Sequence, residues 1–128
     1  QAEAALAQSR ARVGLPLHGN DDQVEALRMS MVKEARAVME EASKNRARFQ
    51  KLSEQGIISQ AELEVVQSGY DVAANKYQEA LQEGNNRLAI LAQRRAEYEI
   101  ARQELAETAI LVSGMQSDRP LLECLERR

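Results

Sequence analysis

From Leu63 onward the chain returns to the same helix face in steps of seven. Leu63, Tyr70, Tyr77, Gly84, Leu91, Tyr98 and Leu105 form one row, and Val66, Ala73, Ala80 and Ala101 fill positions between them. This 3-4 repeat draws a narrow stripe along an α-helix and predicts a second helix packed on it. All three tyrosines lie in the row, where seam packing with the hydroxyls at the edge accounts for them better than a ligand site does. Upstream, Met31, Ala35, Val38, Ala42, Asn45, Phe49 and Leu52 keep the same spacing. Asn45 at a seam position reads as a register-fixing polar residue. Two stripes joined by a short connection predict an all-α fold, a long antiparallel coiled-coil hairpin. Its ascending helix covers 25–55, its turn 56–59 and its descending helix 60–107, the last about 70 Å long.

The turn is written residue by residue. With Gln55 closing the ascending helix, Gly56 falls where a left-handed backbone is wanted, and the register pairs Leu52 with Ile57. Ser59 then sits as the N-cap of the next helix with Glu62 three residues on, a capping box. Ile58 and Leu63 make the accompanying hydrophobic staple.

The ascending arm is interrupted once. Residues 1–13 are alanine-rich, carry Leu6 and Val13 among polar residues and read as helix, whereas 14–24, from Gly14-Leu15-Pro16 to Asn20-Asp21-Asp22, read as loop. Counting outward from the turn sets residues 28–54 beside 60–86, the loop near Gly84-Asn85-Asn86, and the first helix beside 88–106. Those three weak helix formers predict a soft point or a change of packing in the descending helix. Arg87 and Arg94 occupy seam positions in the same half, so the seam loosens there or a third segment enters it.

Composition narrows the function. With one Phe, no Trp and 3% aromatic residues in 128, the chain has too little bulk for a thick globular core, while 44% apolar with 29% charged suits an extended helical ribbon. A net charge of −3 with interleaved signs opposes a nucleic-acid surface. No apolar run approaches a membrane span, and nothing in these residues reads as a signal peptide. The chain opens at Gln1 within a helical pattern, which predicts a piece of a longer protein. His18, Asp21 and Asp22 could be imagined as metal ligands, but a solvated loop is the better reading. Cys124 is the only cysteine and has no adjacent histidine, so a passive thiol is expected. No catalytic, cofactor-binding or metal residues are assigned, and no enzyme activity is expected.

One residue lacks a structural role. Lys44, Arg46, Arg48 and Lys51 would ordinarily form a solvated helix face. Arg48, however, has Asn45, Lys44, Lys51 and Leu52 as its neighbours one turn away, so no acid on its own helix can pair with it. Near the hairpin tip, it is free to meet another molecule.

Arg48, Leu52 and Ser59 reproduce the spacing R-x-x-x-L-x-x-x-x-x-x-S at the hairpin tip of periplasmic adaptor proteins, the HlyD-like membrane fusion proteins of efflux pumps and type I secretion systems. The chain resembles that family also in LSEQGIISQAELE at the turn, YDVAANKYQEAL in the descending helix and YEIARQELAETAI near its end. The resemblance covers nearly all of residues 1–110. It implies a non-catalytic adaptor of the periplasm or cell envelope, membrane-anchored in its full length. The tip would meet a TolC-like outer-membrane channel, other domains would contact an inner-membrane transporter, and copies would self-associate into a ring or dimer. Within the motif Arg48 is expected to be the direct contact, with Leu52 and Ser59 beside it and Gly56, Ile57, Ile58 and Glu62 as scaffold.

The end of the chain departs from the family pattern. Adaptors leave the descending helix into a strand resembling T-x-I-R-A-P-x-D-G, whereas here Thr108-Ala109-Ile110 leads into Leu111-Val112-Ser113-Gly114-Met115. No complete lipoyl-like domain is therefore expected, with at most a short strand or coil near 108–113 and a short helix from Pro120 to Leu125. The alternative reading is an autonomous structural coiled-coil module that dimerises without a transport role.

Overall fold

A computed structural model describes residues 1–126 and the side chains of residues 1–114. Three α-helices and a 3-10 turn make up the described chain: α1 over Ala2–Arg12, the 3-10 turn over Ala26–Arg28, α2 over Ser30–Glu54 and α3 over Gln60–Glu126. The fold is an all-α antiparallel hairpin. α1 and α2 each pack on α3 and not on one another, so they form one ascending arm with a gap in it.

The heptad row of α3 is the inward face. Leu63, Ala73, Gly84 and Leu91 are buried, and Val66, Tyr70, Tyr77, Ala80, Arg87, Arg94 and Tyr98 are half-buried. The row faces α2 first and α1 afterwards, which is why two arginines can occupy it. Arg87 donates to Glu83 Oε1 at 3.1 Å and to the Arg12 carbonyl at 3.4 Å, while Arg94 pairs with Glu97 at 3.0 Å. The third segment predicted to enter the seam is α1.

On α2 the inward row is Val32, Ala35, Met39, Ala42, Arg46 and Phe49, so alternate members differ by one residue from the predicted stripe. Val38 is exposed and so is Asn45, which therefore fixes no register. The cause lies at Gly84. A Cβ built there would come within 3.2 Å of Ala26 Cβ and Met29 Sδ and within 3.5 Å of Val32 Cγ2. Bare backbone at Gly84 thus admits Val32 into the seam, where its exposure is 0%, and steps of seven from Val32 lead to Met39 and Arg46. Arg46 suits the position because its aliphatic stem lies along the seam and its guanidinium stacks 3.8 Å over the Tyr70 ring.

Gly84 marks a change of packing without a soft point, since α3 is continuous through Gly84-Asn85-Asn86. The ascending chain gives way instead. Residues predicted to begin the helix at 25 form the 3-10 turn, and Met29 at φ −68°, ψ 140° is extended before α2 starts at Ser30. The thickest core sits at this interruption, where Leu6, Val13, Met29, Val32 and Leu91 cluster.

The predicted end of the descending helix is also corrected. In place of a strand or coil near 108–113, α3 runs on to Glu126, 67 residues and about 100 Å in all. Nothing between Thr108 and Ser113 is a breaker, and the Thr108 hydroxyl donates to the Glu104 carbonyl one turn back at 2.9 Å, within the helix. The strand expectation followed the family pattern, whereas the local sequence is helical. Residues 127–128 of the predicted tail lie outside the described residues.

Candidate partner-binding site

The tip is assembled by backbone hydrogen bonds that the sequence dictates. At the end of α2 the Ile57 N–H donates to the Leu52 carbonyl at 2.9 Å and the Gly56 N–H to the Ser53 carbonyl at 3.0 Å. That is the two-bond Schellman arrangement, and it requires the left-handed Gly56, found at φ 74°. At the start of α3 the Glu62 N–H donates to Ser59 Oγ at 3.2 Å, and the Ser59 N–H donates to Glu62 Oε2 at 3.4 Å. Both halves of the capping box are thus formed. Ile58 is half-buried and Leu63 buried, whereas Ile57 remains 65% exposed.

Around this scaffold the cations of α2 divide. Arg46 turns inward onto Tyr70. Lys44, Arg48 and Lys51 are exposed and form no ion pair among the described residues. Arg48 and Leu52 lie one turn apart on α2, Leu52 half-buried, while Ser59 stands across the turn as the cap of α3. Leu52 and Ser59 are therefore occupied in building the tip, its carbonyl in one case and its hydroxyl in the other, and the Arg48 guanidinium is uncommitted.

A second polar cluster, which sequence reasoning missed, fastens the interruption. Arg10 of α1 is 2% exposed and donates to the carbonyls of Pro16 at 2.9 Å and Asp21 at 3.1 Å, and to Asp22 Oδ1. From the other side Arg95 of α3 donates to both oxygens of Asp22, at 2.7 and 2.8 Å, and to the Gly19 carbonyl at 2.6 Å. Its hydrogen bonds from Arg95, with the charges of Arg95 and Arg10, hold the Asp22 carboxyl below its ordinary range despite partial burial. The same contact with Asp22 pushes Arg95 further up. Asp22, imagined above as a metal ligand, is thus taken by two guanidiniums. His18 lies exposed on the loop.

Among the described residues no group of three or more His, Cys, Asp or Glu side chains is placed to hold a metal, and no helix is long and apolar enough to cross a membrane. Cys124 lies where side chains are not described. Comparison with family models, curated proteins and solved structures finds no match.

Proposed function

We propose that this chain is the hairpin of a periplasmic adaptor subunit in an efflux or secretion system. Its tip docks on a TolC-like outer-membrane channel, and domains outside the hairpin bridge that channel to an inner-membrane transporter. The observation that carries the reading is the division of labour at the tip: Gly56, Ser59 and Glu62 are used up in ending one helix and starting the next, while Arg48 stands exposed without an acid. Such a guanidinium is free to form charge-assisted hydrogen bonds with carboxylates or carbonyls of a partner. The work is mechanical, without catalysis, and is placed in the cell envelope.

The test compares Arg48→Ala and Arg48→Asp with the unaltered chain in binding to a purified TolC-like channel. Both variants should keep their helicity by circular dichroism and lose affinity, Arg48→Asp the more. Unaltered binding, or no binding by the parent chain, sinks the reading. The alternative is a structural coiled-coil module that only dimerises. A dimer indifferent to the channel would favour it.

A further inference from the structure

Near the tip the two outer faces of the hairpin carry opposite charge. On α2, Lys44 stands two residues from both Ala42 and Arg46 of the inward row, and Lys51 two from Phe49, which turns each about 160–200° away from α3. On α3, Glu64 and Asp71 directly follow the inward Leu63 and Tyr70 and lie on the outer flank of that helix. All four are exposed, and none forms an ion pair among the described residues. Glu40, one turn from Lys44, is held instead by Arg36 at 3.0 Å.

The levels match as well as the signs. Arg46 stacked on Tyr70 and Val32 against Gly84 set the pairing of α2 with α3, and by that pairing Lys51 is level with Val65 and Lys44 with Val72. Glu64 and Asp71 each stand one residue from those levels, about 1.5 Å along the axis, and the spacing within each pair of charges is the same, about 10 Å. We propose that copies of this hairpin associate side by side with their tips level, the outer face of α2 in one copy against the outer face of α3 in the next. Lys51 then meets Glu64 of the neighbouring copy, and Lys44 meets Asp71.

Two-fold contacts through either face set like against like. Paired α2 faces would oppose Lys44, Arg48 and Lys51 to the same cations, and paired α3 faces would oppose Glu64 and Asp71 to the same acids. The charges therefore select a contact between unlike faces, which adds copies one after another and does not stop at two. Val65 and Val72, next to the acids, are 72% and 53% exposed and would be partly covered by the same contact. Arg48 is turned about 40–60° off the line of the two lysines and stays available to another partner. Exposed ion pairs are individually weak, so the assembly belongs to high protein concentration and low salt. It stands whether or not the tips dock on a channel.

Sedimentation equilibrium of the full chain at low ionic strength, from micromolar toward millimolar concentration, tests the contact. The mass should rise from 14.3 kDa past twice that value and fall back in about 1 M salt, where charges are screened within about 3 Å. A chain with Lys44→Glu and Lys51→Glu should stay monomeric, and so should one with Glu64→Lys and Asp71→Lys, both with unchanged helicity because the four side chains are exposed. Mixed in equal amounts, the two variants should assemble again, since each then offers the other an opposite face. For orientation, Lys51→Cys in one chain should form a disulfide with Glu64→Cys in another, both in a Cys124→Ser background, in preference to Asp71→Cys, which a reversed neighbour would present. A monomer at every concentration, a mass that levels at two copies, assembly by either charge-reversed variant alone, a mixture that stays monomeric, or preference for Asp71→Cys overturns the proposal.

Discussion

Replacing Asp22 by Asn keeps the shape of the side chain and removes the charge that joins Arg10 to Arg95. The Arg10 side chain is 3% exposed, that of Asp22 24% and that of Arg95 18%. Breaking a fully buried pair leaves an uncompensated charge and costs about 3–5 kcal/mol. Here Arg10 keeps two carbonyl acceptors and Arg95 keeps one, and water reaches Asp22, so the loss should be smaller, about 2–3 kcal/mol. Urea unfolding of Asp22→Asn at neutral pH measures it. Amide exchange locates it: of the other helices α1 packs only on α3, so amides of α1 should exchange faster while those around Gly56 and Ser59 stay as they were. Asp21→Asn is the control, since the exposed Asp21 carboxylate accepts only the Gln23 N–H, at 3.0 Å, and its loss should be within about 0.5 kcal/mol. If Asp22→Asn matches the parent within that same margin, or if exchange rises at the tip, the cluster does not fasten α1 and the reasoning fails.

Acid should reproduce part of that effect. A carboxyl whose folded value lies below its ordinary 3.8 contributes fully above that pH and loses its contribution as pH falls through the lower folded value, so the parent chain, and not Asp22→Asn, should lose stability from Asp22 below about pH 4. Titrating unfolding midpoints of both proteins shows it. At the tip, Gly56→Ala must adopt φ 74° with a Cβ and should cost about 1–2 kcal/mol, and Ser59→Ala about 1 kcal/mol, both by thermal unfolding. Gly84 should show opposed effects. Ala there gains about 1 kcal/mol of helix propensity against the 3.2 Å approaches of Ala26 Cβ and Met29 Sδ and should come out near neutral, whereas Gly84→Val should lose about 1–3 kcal/mol.

The parts legible in the sequence are those whose signal is local. Gly56, Ser59 and Glu62 each act within a turn of themselves, so the tip could be written down bond by bond, and the row from Leu63 to Tyr98 could be read because one uninterrupted helix preserves its period. The register of α2 could not. Choosing between Val38 and Met39, or between Asn45 and Arg46, depends on how closely α2 approaches α3, and that distance is set by Gly84 from the opposite helix. The only sequence signal was a glycine in a seam row, which read as a soft point or as a change of packing, and the second reading holds without giving the register. Arg48 was legible as a residue without an intrahelical acid, because that is again a matter of neighbours one turn away; what it meets is outside any single chain.

The two glycine-terminated helices show why the cluster at Arg10 escaped notice. At Gly14, with φ 84°, the Leu15 N–H donates to the Arg10 carbonyl and the Gly14 N–H to the Ala11 carbonyl, the same pair of bonds that Gly56 arranges at the tip. Identical ends have different sequels. After Gly56 only two residues, 57 and 58, precede Ser59, the cap of α3, so the chain must reverse. After Gly14 the loop has no capping box to stop it and would wander, except that the Arg10 side chain collects the Pro16 and Asp21 carbonyls and the Asp22 carboxylate, and Arg95 takes up the rest. The partners are 6 to 12 residues from Arg10 and 73 to 76 residues from Arg95, separations at which no periodicity operates. A buried arginine bound to loop carbonyls thus does for the interruption what glycine and serine do for the tip. The ascending arm can be interrupted there because α3, unbroken through Gly84, carries both segments on one face.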